Sequence, residues 1–160
     1  MITQLPITTN AQHKSDVRSQ FAALCYRLSK KGNPKILLVT SRRTGRWIIP
    51  KGWPMDGLTP AATATQEAWE EAGVRGIFVE QCLGLYSYQK WRDGAVPLPC
   101  MVMVYPVAVT ELAEDFPEQD QRRRKWFSPA KAATQVAEPE LARILQDFHP
   151  RVLRSIPQDT

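Results

Sequence analysis

No apolar run in this 160-residue chain approaches the roughly 20 residues that a membrane-spanning helix needs, so no such helix is expected. The stretch Met1-Ile2-Thr3-Gln4-Leu5-Pro6 lacks the charged and apolar regions of a signal peptide, and a cytoplasmic protein is the expectation. Cysteine is scarce. Cys25, Cys82 and Cys100 are odd in number and form no Cys-x-x-Cys pair, which argues against a disulfide framework and a zinc site. Cys25 and Cys100 lie in apolar, strand-like runs and read as packing residues. There is no internal repeat, no low-complexity segment, and no helix-turn-helix, zinc-finger or RNP pattern, so the common nucleic-acid modules are not indicated. What is present, 43% hydrophobic and 23% charged residues, is ordinary usage for one soluble globular domain.

One further absence locates the chemistry. Thr59 is a good N-cap, Pro60 suits the first helical position and Gly73 the left-handed residue past the end, so residues 60–72 are predicted as one helix. That helix contains neither lysine nor arginine, yet it carries Glu67, Glu70 and Glu71 at i, i+3 and i+4 on one face. Like charges at this spacing repel, and carboxylates in a last turn oppose the helix dipole by about 0.3–1 kcal/mol each. Something outside the helix has to offset this. A hard divalent cation does so with oxygen ligands, while a solvated acidic end, or one paired with a basic loop elsewhere, is the alternative.

The rest of the chain reads as strands around that helix. A strand is predicted over residues 18–27, a turn at Lys30-Lys31-Gly32-Asn33-Pro34, and a strand over 35–41 with the buried run Ile36-Leu37-Leu38-Val39. Trp47-Ile48-Ile49 is a short strand stopped by Pro50. One strand is expected over 76–90 and another over 101–110, where Pro106 suggests a bulge or an edge. A brief strand at 124–128 precedes helices over 129–136 and 139–148, the second with Leu141, Ile144, Leu145 and Phe148 on one stripe. The reading is an α/β protein, a mixed central sheet between helices. Residues 1–17 are expected as a flexible arm, 18–150 as the domain and 151–160 as a tail.

From Gly52 to Val74 the chain resembles the Nudix box, whose pattern is Gly, five residues, Glu, seven residues, then Arg-Glu-U-x-Glu-Glu-x-Gly-U with U apolar. Gly52, Glu67, Ala68, Glu70, Glu71, Gly73 and Val74 match in register, while Leu58 stands where the pattern has Glu and Gln66 where it has Arg. Segments 21–27, 36–42, 46–52 and 122–127 are similar to those of the diphosphoinositol polyphosphate phosphohydrolase branch, so the likeness spans about residues 18–148. The resemblance implies a Nudix-type α/β/α sandwich and a metal-dependent pyrophosphohydrolase acting on inositol pyrophosphates or diadenosine polyphosphates. It implies Glu67, Glu70 and Glu71 as catalytic metal ligands for Mg²⁺, with Mn²⁺ also accepted by carboxylate and water sites. A further carboxylate from outside the box is expected, and Glu118 is the candidate, with a solvated loop acid as the alternative. In the family the box Arg orients neighbouring carboxylates and the early Glu braces the loop, functions that Gln66 and Leu58 do not reproduce.

The formal charge of +5 is bunched around these features. Arg42, Arg43 and Arg46 surround the turn before the box, Lys51 abuts Gly52, and Arg122 to Lys125 form a run. Guanidinium forks bind phosphate oxygens in bidentate fashion, so the grouping suits a substrate with several phosphates. Strand alternation places half of the run on any one face, and Arg122 and Arg124 are the pair assigned to ligand. Arg42, Arg46, Lys51 and Gly52 complete the set, with Trp53 at the pocket mouth or stacked on a base. Arg42 and Arg43 also read as solvent-facing turn residues and Arg46 as a loop anchor. Trp47 and Trp126 are expected in the core, and Trp69 between helix and sheet. The partner is a phosphate-rich small molecule rather than a membrane. A non-catalytic sensor of phosphorylated metabolites, or an RNA 5′-end pyrophosphohydrolase, are the readings of other classes that stay open.

Overall fold

The computed structural model describes residues 18–91 and 93–154; the arm predicted over residues 1–17 and the end of the tail, 155–160, lie outside them. Eight strands form one mixed sheet: β1 (Arg18–Leu28), β2 (Pro34–Thr40), β3 (Trp47–Ile48), β4 (Lys51–Gly52), β5 (Val74–Phe78), β6 (Gly84–Lys90), β7 (Leu98–Leu112) and β8 (Arg124–Phe127). The order β3-β2-β1-β7-β5 runs through the centre, with β4 on β1, β6 on β7 and β8 on β2. β1 and β7 are parallel and every other pairing is antiparallel.

Helices cover both faces: α1 (Pro60–Ala72) on one, α2 (Pro129–Gln135) and α3 (Pro139–Asp147) on the other. Alternation along β1 divides the core accordingly. Ala22, Leu24 and Tyr26 meet Leu141, Leu145 and Phe148, whereas Phe21, Ala23 and Cys25 meet the alanines of α1. Cys25 and Cys100 are both buried in this packing. The 3₁₀ turn Pro150–Val152 follows α3, and Leu153 joins the core, so the packing continues past residue 150.

The expected single strand over 76–90 is two strands. β5 pairs with residues 107–112 of β7 and β6 with residues 98–104, so one long strand carries both on the same edge and residues 79–83 connect them. Pro106 falls in the gap between the two. The Val104 carbonyl accepts from the Leu83 N–H on that edge, and alternation puts the absent N–H of Pro106 on the same side, where no strand needs it. The register shifts instead between Arg75 and Gly76, which face Glu111 and Val109, so the extra residue is Thr110 of β7.

α1 has the predicted limits. Thr59 Oγ1 accepts from the Ala62 N–H at 3.2 Å, and Gly73, at φ 67°, returns its N–H to Trp69 O at 3.0 Å. Ala61, Ala64, Ala68 and Ala72 are all fully buried against the sheet. Trp69 does not join them: it is half-buried, with the Arg75 guanidinium 4.1 Å above its ring. Side chains as small as alanine leave no room there for an indole.

Candidate active site

A cleft of about 530 Å³ opens where the β2–β3 turn, the loop before α1, the end of β6 and the segment before β8 meet. Glu67, Glu71 and Glu118 line it on one side; Arg42, Arg43, Arg46, Lys51, Lys90 and Arg122 also line it, with Gly52 and Trp53 at the start of the loop. Of the residues singled out in the sequence, the cleft thus gathers all but Glu70 and Arg124.

The three glutamates of α1 share a helix edge but not an environment. On a helix the i+3 and i+4 positions lie on opposite sides of residue i, so Glu70 and Glu71 flank Glu67. Glu71 turns inward and is only 3% exposed. Its Oε2 accepts from the Lys51 N–H at 3.0 Å, and its Oε1 pairs with Arg122 Nη2 at 3.1 Å. Glu70 turns the other way, accepting from Gln66 Nε2 at 3.3 Å, while its backbone carbonyl receives the Glu118 N–H at 3.0 Å. Glu67 lies between, against Gly52: a Cβ on that glycine would overlap the Glu67 carboxylate, so only glycine lets the strand pass this close.

Charge balance singles out Glu67. Among the described residues neither Glu67 nor Glu70 pairs with a cation, whereas Glu71 has Arg122, and Glu118 has Arg122 at 3.1 Å and Arg42 at 3.5 Å. Burial pushes the Glu67 carboxyl up to about 8, reinforced by the adjacent Glu71 and then by Glu70 and Glu118. Burial also lowers the Lys51 ammonium to about 8, against the opposing pull of Glu71. Its Nζ lies 5.0 Å over the Tyr88 ring. Among the described residues no three acidic, histidine or cysteine side chains are arranged to hold a metal ion as they stand; Glu71 is engaged by Arg122 and Lys51, and Glu70 by Gln66. The donor chemistry nonetheless fits one: an all-oxygen set with a carboxylate forced towards its neutral form by like-charged neighbours is what a hard dication relieves.

The other predicted residues separate into those held at the cleft and those exposed at its rim. Arg46 anchors its loop through Nη1 to Glu138 Oε1 at 2.9 Å. Arg42 and Arg43 are 59% and 65% exposed, Arg43 paired with Asp93. Trp53 is 37% exposed, with Lys90 Nζ 5.2 Å over its ring. Arg124 is not part of the cleft. It lies two residues beyond Arg122, roughly 6.6 Å further along the strand direction, and reaches the end of α1, where Nη1 donates to Ala72 O at 2.7 Å. Gln20, Tyr88, Lys90 and Trp91 line the cleft without having been singled out as site residues. Only the pairing of β6 with β7 brings the last three there, and no local pattern marks them.

The sequence profile of the NUDIX domain matches residues 18–148. The chain belongs to the Nudix family. Among curated Nudix relatives, Nudix hydrolase 12, mitochondrial, of Arabidopsis thaliana is 31% identical over 118 residues, covering 71% of this chain and 58% of that protein. Human diphosphoinositol polyphosphate phosphohydrolase 3-beta is 32% identical over 124 residues, covering 76% and 71%; the mouse phosphohydrolase 2 is 30% identical, with 76% and 64%. The chain thus spans only about three-fifths of the length of the Arabidopsis and mouse proteins. The Nudix fold is shared with the C. elegans Ap4A hydrolase, at TM-score 0.57 and 18% identity over 82% of this chain and 95% of the other. It is shared also with the Nudix domain of Shewanella oneidensis NrtR complexed with ADP ribose, at TM-score 0.59, 16% identity and coverage of 82% and 86%.

Proposed function

We propose that this chain hydrolyses a diphosphate linkage in a phosphate-rich small molecule of the diphosphoinositol polyphosphate or diadenosine polyphosphate class. The observation that carries this reading is the single cleft in which an incompletely neutralised set of carboxylates meets a group of cations. A lone phosphate would not need so many positive groups. The named activities of the diphosphoinositol polyphosphate relatives support the substrate class.

Glu67, Glu70, Glu71 and Glu118 would hold a divalent ion, Mg²⁺ or Mn²⁺. When bound it neutralises phosphate charge and lowers the pKa of a coordinated water. The chain's own groups do the rest. Arg42 and Arg43, exposed at the rim, receive and orient the outer phosphates, and Lys51 and Lys90 stabilise charge that develops on the leaving phosphate. Glu70, bonded to Gln66 and among the described residues to no cation, would take the proton of the attacking water by swinging from Gln66 into the cleft, which it does not line in this structure. Attack in line at one phosphorus releases a phosphorylated product and either orthophosphate or a nucleotide.

The engagement of Glu71 by Arg122 and Lys51 favours a second reading, a non-catalytic domain that senses a phosphorylated metabolite. Release of phosphate and nucleotide separates the two. The panel comprises diadenosine polyphosphates, inositol pyrophosphates, nucleoside triphosphates, ADP-ribose and 5′-triphosphate RNA, each with Mg²⁺, with EDTA, and with Glu70→Gln. Turnover of one class that EDTA abolishes and Glu70→Gln lowers about 100-fold or more establishes the hydrolase; binding without turnover across the panel establishes the sensor.

A further inference from the structure

Arg122 differs from the other cations of the cleft. Its side chain is 8% exposed, against 40% for Arg46, 59% for Arg42 and 65% for Arg43. All three of its guanidinium nitrogens are engaged. Nε donates to Glu118 Oε1 at 3.1 Å, Nη2 reaches Glu118 Oε1 and Glu71 Oε1, each at 3.1 Å, and Nη1 donates to Thr40 O at 3.0 Å. One side chain therefore ties together α1, the turn before β8 and the end of β2. The backbone beneath it is fastened too: the Arg123 N–H donates to Thr40 Oγ1 at 2.9 Å, and the Thr40 N–H to Arg123 O at 3.0 Å.

We infer that Arg122 is a positioning residue, a clamp that fixes Glu71 and Glu118 at the cleft wall and does not itself grip the substrate phosphates. α1 has no cation of its own to order its acidic end, and among the described residues Gln66 reaches Glu70 alone. Arg122 supplies the missing positive charge from another part of the chain. A planar fork with donors on three nitrogens suits this task, where a lysine ammonium, a single point charge, does not. To bind a phosphate, Arg122 would have to abandon two carboxylates, one of them 3% exposed, leaving that charge buried and unpaired. Arg42 and Arg43 carry no such penalty and remain the ligand arms.

This role rests on the metal-dependent reading above, and metal affinity separates the two. Mn²⁺ is titrated by calorimetry into the full chain and into Arg122→Ala, Arg122→Lys and Arg42→Ala, and kcat and KM are measured on a diadenosine polyphosphate or whichever panel compound is turned over. For Arg122→Ala the Mn²⁺ affinity should fall about 10- to 100-fold, as for other groups that orient metal ligands, and kcat should fall with it while KM stays within about 3-fold. Arg122→Lys should recover less than a tenth of the lost kcat, and it tests the clamp with the charge retained if Arg122→Ala does not fold. Arg42→Ala should raise KM and lower Mn²⁺ affinity less than Arg122→Ala does, because Glu118 keeps Arg122 when its second partner, Arg42 at 3.5 Å, is removed. A rise in KM alone for Arg122→Ala would make it a substrate arm, and a rise in Mn²⁺ affinity would make it a competitor for the ion; either overturns the clamp, as does a wild-type chain that binds no Mn²⁺. If the wild type binds Mn²⁺ but turns over nothing, the hydrolase reading fails while the affinities still decide the clamp.

Discussion

The two faces of the sheet are built from different side chains. Beneath α2 and α3 the contacts are bulky, with Leu141, Leu145 and Phe148 set among Tyr26, Ile36, Leu38 and Tyr86. Beneath α1 they are small: Ala61, Ala64, Ala68 and Ala72 lie against Phe21, Leu37, Val39 and Tyr105. Large side chains supply most of the apolar area, and each can adjust its rotamer when a neighbour changes. Alanine has no rotamer to adjust, so the position of α1 is set by direct approach of its backbone to the sheet. The glutamates proposed to hold the ion sit on the edge of the helix with the least freedom to move. Stability and site geometry are in this sense assigned to opposite faces.

That division can be broken from either side. Leu145→Ala, at a fully buried position of α3, should cost about 2–5 kcal/mol in denaturant unfolding, the largest effect expected here. The folded fraction should keep its kcat. Ala68→Leu should cost less, about 1–3 kcal/mol for overpacking, yet reduce kcat about tenfold or more because α1 must lift and carry Glu67 and Glu71 with it. Should Leu145→Ala impair kcat more than Ala68→Leu does, the faces do not divide the work in this way.

Much of this was legible in the sequence because it is locally encoded. Thr59, Pro60 and Gly73 define α1 within 15 residues, and the spacing of Glu67, Glu70 and Glu71 follows from the helix period. The four-residue apolar run of β2 likewise announces burial without any tertiary information. What was not legible depends on pairings distant in sequence. The break between β5 and β6 is dictated by the length of β7, which carries both, and not by a glycine or proline between them. The different environments of Glu70 and Glu71 depend on Arg122, some 50 residues away. Arg124 carries the same charge two residues along, but the rise of the strand takes it past the cleft to the end of α1. Charge pattern alone does not tell one from the other.

Gly52 tests the comparison at smaller energetic scale. Here β4 passes so close to Glu67 that a methyl group takes the space of the carboxylate. The far end of a glutamate is flexible, so Gly52→Ala should change stability by less than about 1 kcal/mol while displacing Glu67 from the cleft wall. Activity should fall about 10- to 100-fold, in the range found when a metal ligand loses its orientation. Equal activity with a measurable loss of stability would place the importance of Gly52 in packing alone.

The smallest expected effect, once solvent screening of the partly exposed Glu67 reduces it, is a pH dependence confined to the α1 face. Glu67 faces Glu70, Glu71 and Glu118, and in the metal-free fold its carboxyl is pushed up to about 8, so between roughly pH 4.5 and 8 the folded chain holds a proton there that the unfolded chain has lost. Its contribution to stability is therefore present at low pH and lost as pH rises through that window. Lys51 has the opposite sign: lowered to about 8, it binds fewer protons folded than unfolded, and its contribution rises between pH 8 and 10.5. Together with Glu71, whose carboxyl burial also pushes up, these two groups predict a minimum near pH 8 in thermal stability measured with EDTA. Mg²⁺ should erase the descending limb by favouring the charged form of Glu67, raising the midpoint at pH 8 more than at pH 5. Glu67→Gln should weaken the same limb without metal, leaving the part due to Glu71, whereas Leu145→Ala should shift the whole profile down and leave its shape unchanged. A minimum of undiminished depth in Glu67→Gln would assign the titration to another group and remove Glu67 as the point at which the α1 face demands a cation.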